Sequence, residues 1–383
     1  MTAAHHRHPG ARRAPEPDVT REQQATPTPP IDVPPYYWPH PAAKHPDTEE
    51  ARLVANDFLD RHRLYADDGM RHKQLRTENG RFAGYAMPAA TKEAVFIYAK
   101  FTVWGFAYDD EVLDERPTGI DTTATAIDNL RIMRTAEITE YPPALTHKYG
   151  LALREIRMDI DSLCGPEAGQ QFIDLMYTYT AMELNIMAMR QARHRPTIDE
   201  YLTCRMYQGG AHTYPSLAII LNGHGLRPEH IADRRVRALR EIMALLGGWT
   251  NDIYAYSYER DNVPAWATAI DILRDTHGYT YPQGVRAAMD VHDRCIVLFD
   301  RISDQLLDDD HDLYAPVVHT LRDFHGGHLA WVTDNTRYVS KQDLSDTYHF
   351  NGYGPATRPA DPAPLPYPYI SWWWEHDGTT TSG

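Results

Sequence analysis

A chain of 383 residues with a formal net charge of −15 has no basic face with which to displace counterions, which argues against nucleic acid as a partner. Its 42% hydrophobic content allows a large buried core, and three scattered cysteines, Cys164, Cys204 and Cys295, form neither a disulfide framework nor the C-x-x-C spacing of a zinc site. With no apolar leader and no run of eighteen apolar residues, the expectation is a soluble cytoplasmic protein without a transmembrane segment.

Residues 1–31 carry Pro, His, Arg and Thr with hardly any periodic apolar positions. They cannot offset backbone entropy by burial and read as a disordered tail. The aromatics within Pro34–Pro39 suggest an extended strap laid against the helical domain. Asp47 and Glu50 make a capping-box pattern ahead of Ala51, Leu53, Val54, Phe58 and Leu59 at helical spacing. From Thr91 to Tyr108 the sequence is apolar nearly all round, as in a helix buried on several sides.

Further helices read at 122–140, 143–163, 167–193, 197–222, 229–260, 264–275, 282–309 and 311–333, with breaks at Gly and Pro between them. No alternating strand of useful length and no fixed repeat occurs, so the class is all-α, with one helical domain over 32–345. Residues 346–383 read as a Pro/Trp-rich tail. Its Trp372-Trp373-Trp374 run would be an aggregation liability in water and is expected to dock on the protein's own surface.

Four clusters carry chemistry. The first, Asp109-Asp110-Glu111-Val112-Leu113-Asp114, ends the apolar helix. At 3.6 residues per turn Asp110 and Asp114 share one face, while Asp109 falls on the face of Phe106 and Tyr98. Carboxylates at a helix C-terminus repel one another and the dipole, and a buried set needs a cation. Alone, such a string is more often a solvated loop. The second cluster runs from Asn251 to Glu259, where Asn251, Ala255 and Glu259 form one helical stripe; hard oxygen ligands two turns apart suit Mg²⁺. The third is Arg205 followed by the mid-helix pair Gly209-Gly210, which costs about 1 kcal/mol per glycine and asks for a reason. The fourth is Trp331 with Arg337-Tyr338, a guanidinium fork and a hydroxyl donor suited to phosphate oxygens.

In this order and spacing the clusters resemble those of class I terpene cyclases over roughly residues 32–345, and the Pro-rich arm is similar to that of the 2-methylisoborneol synthase branch. The resemblance implies a helical bundle around a central active-site cavity. It also implies Mg²⁺, three ions in number, held by Asp109, Asp110, Asp114, Asn251 and Glu259. Arg205 would sense the diphosphate, and the helix would break at Gly209 with a freed carbonyl facing the reacting carbon. Arg337 and Tyr338 would close over the diphosphate, and Phe106, Tyr98, Tyr177 and Trp331 would offer aromatic faces to a carbocation.

The implied reaction is ionisation of an acyclic prenyl diphosphate, farnesyl or geranylgeranyl, followed by cyclisation and diphosphate release. The Pro-rich arm keeps a geranyl or methylgeranyl substrate as an alternative, and a homodimer follows from resemblance alone. The chain departs from the pattern at Ala255, where a serine ligand is expected, at Tyr258, where a basic residue is usual, and at Leu113, with the acid one place later. A trans-prenyl diphosphate synthase would need a second Asp-rich motif and further basic residues, and neither is present. An HD-type phosphohydrolase, suggested by His292-Asp293 and His311-Asp312, would need more ligands on neighbouring helices. A helical interaction protein would leave all four clusters as coincidences.

Overall fold

The computed structural model describes residues 31–114, 122–140, 147–223, 225–262, 268–335, 348–355 and 363–377. Two short strands, β1 (Ile31–Val33) and β2 (Tyr36–Tyr37), precede α1 (Thr48–His62), α2 (Asp68–Arg76), α3 (Phe82–Ala86) and α4 (Lys92–Tyr108). Next come α5 (Thr122–Glu137), α6 (Lys148–Cys164), α7 (Pro166–Gln191), α8 (Ile198–Arg205) and α9 (Thr213–Leu221). The chain continues with α10 (Pro228–Ala232), α11 (Arg234–Asn262), α12 (Ala269–His277), α13 (Tyr281–Asp309) and α14 (His311–Asp334). Strands β3 (Tyr348–Phe350) and β4 (Tyr353–Gly354) and the short α15 (Pro368–Ser371) complete the described elements. The all-α class holds, and helices break at Gly165-Pro166, before Pro196, at Gly223 and at Gly278 as expected, while Pro142 and Pro264 lie outside the described residues and the helix expected over 229–260 is two, α10 and α11, parted at Asp233. The strands, which the sequence did not signal, are too short for a period-two pattern to show.

Local chemistry sets the boundaries. Thr91 caps α4 by accepting the Ala94 N–H through its hydroxyl at 3.3 Å, and Thr197 and Thr280 head full capping boxes on α8 and α13. The capping box expected at Asp47 and Glu50 does not form. Glu50 instead accepts from Lys92 Nζ at 2.5 Å, and Asp47 offers no side-chain cap. The single helix expected over 197–222 is two, α8 and α9, separated at the glycine pair.

Two apolar clusters make the core. One joins α1, α3, α4, α6 and α7; the other joins α11, α12 and α13 with the strap residues Val33, Tyr36, Tyr37 and Trp38. Helices α9 and α14 contribute to both, so they bridge the two clusters. The strap is integral, since Tyr36 and Trp38 are buried and the Tyr36 hydroxyl donates to Thr250 O at 3.2 Å. Backbone pairing is parallel, β1 with β3 and β2 with β4, in the register Ile31 with Tyr348 and Tyr36 with Tyr353.

The domain boundary expected at 345 is therefore corrected. Leu365, Tyr367, Ile370, Trp373 and Trp374 belong to the same core as α11 and α13, and the Trp373 indole donates to Glu241 Oε2 at 3.0 Å. Trp372 lies under the guanidinium groups of Arg234 and Arg237, so the tryptophan run docks on the protein's own surface, as expected. Of the tail expected over 1–31, residues 1–30 lie outside the described residues, and Ile31 begins β1. Among the described residues no helix is long and apolar enough to cross a membrane.

Candidate active site

The kink after α8 organises the site. Gly209 has φ 62° and ψ 21°, a left-handed conformation that ends the helix and that residues with a Cβ adopt at a cost of about 1–2 kcal/mol. A Cβ there would meet nothing closer than Arg205 Nη1 at 3.6 Å, so the demand for glycine is conformational rather than steric. Arg205, 7% exposed, sits one turn earlier. Its Nε donates to Asp252 Oδ1 at 2.9 Å, and its Nη2 donates to Gly248 O at 2.8 Å and to Asn251 Oδ1 at 3.2 Å. Asp252 also accepts the Ala269 N–H at the start of α12, at 2.9 Å. A Cβ on Gly248 would lie about 3 Å from three Arg205 side-chain atoms, so this glycine makes the seat for the guanidinium. The structure thus brings Arg205, Gly209 and Asn251 together.

The acidic cluster arrives differently. Asp109–Asp114 forms a π-helical turn, in which i→i+5 bonding breaks the 3.6-residue phase that put Asp110 with Asp114. The charges of Asp109 and of Glu183 on α7 both act on the Tyr179 hydroxyl. Burial first, then Glu183, then Asp109 hold that hydroxyl well above its ordinary pKa, so Tyr179 is a neutral donor. Asp110 accepts from Gln74 Nε2 at 2.5 Å and pairs with Lys73 Nζ at 3.4 Å, so α2 supplies protein partners to this carboxylate. Glu111 is likewise taken, by Lys148 and the Tyr149 hydroxyl.

Aromatic side chains from α3, α4, α9 and α14 pack together in the first of the two core clusters. Phe82 lies at the centre, with ring centroids 5.1 Å from Trp331, 5.8 Å from Tyr214 and 6.0 Å from Tyr98. Phe106 packs on Trp331 at 5.8 Å. The Tyr98 hydroxyl, fully buried, donates to Tyr214 O at 3.1 Å, which fixes its ring edge against α9. His328 stacks on Trp331 and Phe324 and is pushed down to about 4 by burial, with Arg205 and His292 adding, so it is neutral at pH 7. Tyr177 is the exception. It is 37% exposed and its hydroxyl donates to Glu137 on α5 at 3.3 Å, outside this wall; α7 presents Tyr179, two residues on, to the interior.

Several participants were not foreseen: Glu183, Asp252, Gly248, Phe82, Tyr214 and His328. Glu183 left a signal, an acid on the stripe of α7 that buries Met176, Tyr179, Thr180 and Met187. Gly248 left none, because its role depends on a side chain from another helix. Arg337 and Tyr338 lie outside the described residues, as do the side chains of Asp114 and Glu259.

Among the described residues no group of three or more His, Cys, Asp or Glu is placed to hold a metal. The donor chemistry nevertheless fits a hard cation. Asp109 and the Asn251 side-chain carbonyl are hard oxygen donors, the kind that suits Mg²⁺.

Residues 100–297 match the family model described as terpene synthase family 2, C-terminal metal binding. The chain is 27% identical over 344 residues to a (+)-(1(10)E,4E,6S,7R)-germacradien-6-ol synthase of Streptomyces pratensis, covering 89% of this chain and 96% of that protein. It is 28% identical to a (+)-T-muurolol synthase of Streptomyces clavuligerus, described as (2E,6E)-farnesyl diphosphate cyclizing, over 77% of this chain and 71% of that one. The crystal structure of the SVS_A2 protein from ancestral sequence reconstruction superposes with a TM-score of 0.76 at 21% identity, over 90% of this chain and 99% of that one, which shows the shared fold. The chain belongs to terpene synthase family 2 and is a class I terpene synthase.

Proposed function

We propose that this terpene synthase ionises farnesyl diphosphate, folds the resulting allylic cation against its aromatic wall and releases a cyclic terpene and diphosphate. The seating of Arg205 beside Asn251 at a glycine kink carries this reading, because it sets a phosphate-binding guanidinium against the turn that opens toward the aromatic wall. Farnesyl diphosphate is favoured because the T-muurolol synthase relative is described as cyclizing it; geranylgeranyl diphosphate is the second choice.

Asp109 and Asn251, joined by Asp114 and Glu259, would hold Mg²⁺, which supplies charge neutralisation for the departing diphosphate. The number of ions, three by resemblance, and assembly as a homodimer belong to the same proposal. Arg205 binds a diphosphate oxygen through Nη1, whose contact with Gln208 O is long at 3.4 Å, while Asp252 holds the rest of the guanidinium in place. Arg337 and Tyr338 complete that grip. Phe82, Tyr98, Tyr214 and Trp331 exclude water and present π faces to the migrating charge, worth roughly 0.5–2 kcal/mol each.

The test is incubation with geranyl, farnesyl and geranylgeranyl diphosphates, each with Mg²⁺ or with EDTA, and mass spectrometry of the extracts. A cyclic product from farnesyl diphosphate, absent with EDTA and with Asn251→Ala, is expected. Chain elongation on adding isopentenyl diphosphate would replace this reading by prenyl transfer.

A further inference from the structure

The face of α9 turned away from the aromatic cluster carries a second set of polar groups. His212 and Ser216 each stand two residues from Tyr214, which at about 100° per residue sets them almost opposite the face that brings Tyr214 to Phe82 and Tyr98. On that far side they meet Arg240 of α11, whose Nη2 donates to His212 Nε2 and to Ser216 Oγ, both at 3.3 Å. Arg240 lies about three turns, roughly 16 Å, before Asn251 along α11, so this set is separate from the one around Arg205.

The guanidinium of Arg240 lacks a counter-ion. Among the described residues it forms no ion pair, its two hydrogen bonds are long and go to uncharged groups, and its Nε is buried with no acceptor. The acid next to it in sequence, Glu241, is taken by Arg237 Nε at 2.8 Å and by the Trp373 indole at 3.0 Å. Burial first, then the Arg240 charge, hold His212 at about 3, so its ring is neutral and, accepting through Nε2, carries the proton on Nδ1. The Tyr207 ring lies 5.3 Å from that of His212, and burial pushes its hydroxyl up, so it too is an uncharged donor. One full positive charge is thus set among neutral donors, and Arg240, His212 and Tyr207 all keep partial access to solvent. A charge withdrawn from water without a partner is costly, and a small anion entering from solvent would supply the partner.

We propose that Arg240, His212 and Ser216 form a second anion site, which takes a phosphate-type oxyanion on the guanidinium fork and is distinct from the diphosphate grip at Arg205. This goes beyond the cyclase reading and does not depend on it. Tyr207 and His212 stand on either side of the Gly209–Gly210 kink, so an ion held here ties α11 to the chain on both sides of that kink. Free phosphate and the diphosphate released by cyclisation share the required chemistry.

The experiment melts the full chain in EDTA with inorganic phosphate, with diphosphate, or with chloride at the same ionic strength, and repeats the series with Arg240→Met. Phosphate or diphosphate is expected to raise the wild-type melting temperature by at least about 2 °C over chloride and to leave Arg240→Met unmoved, the larger rise identifying the source. In chloride, Arg240→Met should melt no lower than wild type, because an apolar side chain of similar length removes a charge that has no partner. Hydrogen exchange in the wild type should slow over 207–216 and 237–244 when the oxyanion is added, a readout that needs no variant to fold.

An equal rise in Arg240→Met would place the anion elsewhere and overturn the proposal. So would a wild type that neither oxyanion stabilises or protects over those two stretches. A folded Arg240→Met protein that melts well below wild type in chloride would overturn it as well, since Ser216 and His212 would then satisfy the guanidinium by themselves. Failure to turn over any prenyl diphosphate would remove the cyclase reading and leave this site untouched.

Discussion

Two helix segments bring a pair of adjacent oxygen-bearing residues to the site, Asp109-Asp110 after α4 and Asn251-Asp252 in α11, and in each the pair divides. One member, Asp109 or Asn251, is proposed to meet the metal and the other is buried against the protein: Asp110 on Gln74 and Lys73, Asp252 on Arg205 and the first turn of α12. The buried partners differ in what they couple to. Asp110 ties the acidic end to α2. Asp252 ties the asparagine helix directly to the guanidinium proposed to read the diphosphate. Neighbouring acids in a motif therefore need not share a task, and the second one can be a structural anchor whose loss is felt at the chemistry only when its partner is functional.

The sharpest way to break this comparison is Asp252→Ala. It strands a buried guanidinium and should cost about 3–5 kcal/mol in urea unfolding together with activity, since removing one partner of a buried pair leaves an uncompensated charge. A smaller but more selective effect is expected for Asp109→Asn, with roughly 100-fold lower turnover and an unchanged melting temperature, whereas Asp110→Asn should do the reverse. Equal effects of the two on turnover would show that the pair does not divide.

Gly248→Ala comes next. Its Cβ would displace Arg205 and cost about 1–3 kcal/mol, read mainly as a weaker response to diphosphate as an inhibitor. The smallest effect is on pH dependence. His328, held at about 4 in the folded state against an ordinary value near 6.5, is neutral when folded and takes a proton on unfolding. Its contribution is complete above about pH 6.5 and is lost as pH falls toward 4, by at most about 1.4 kcal/mol per pH unit. His328→Phe should flatten the unfolding midpoint between pH 7 and 5; an unchanged slope would put the acid sensitivity elsewhere.

Much of the fold was legible because glycine and proline interrupt strongly apolar helices and so mark their ends without tertiary information. Arg205, Gly209 and Asn251 were legible for a related reason: each breaks a local rule, a cation or a glycine inside a helix, which asks for a cause. The shared face of Asp110 and Asp114 was drawn with a 3.6-residue phase, and the π-helical turn there obeys a different one. Tyr177 was chosen over Tyr179 although the buried stripe of α7 runs through the latter. Glu183 and Gly248 act across helices distant in sequence, and no local pattern announces what a side chain will meet from another element. The strand pairs escaped because two or three residues are too few to show alternation.

The parallel pairing of β1 with β3 and of β2 with β4 joins the two ends of the described chain. The stretch 336–347, which carries Arg337 and Tyr338, is thereby tethered on both sides: before it, Asp334 is held by the Tyr85 hydroxyl, and after it, Tyr348 is paired to Ile31. Contacts far apart in sequence, from α3 and from β1, therefore fix the two points between which the chain must close, so the strap shares in that closure. A truncation that removed Ile31–Trp38 would take the buried Tyr36 and Trp38 out of the core and the Tyr36 hydroxyl off Thr250 O, beside Asn251.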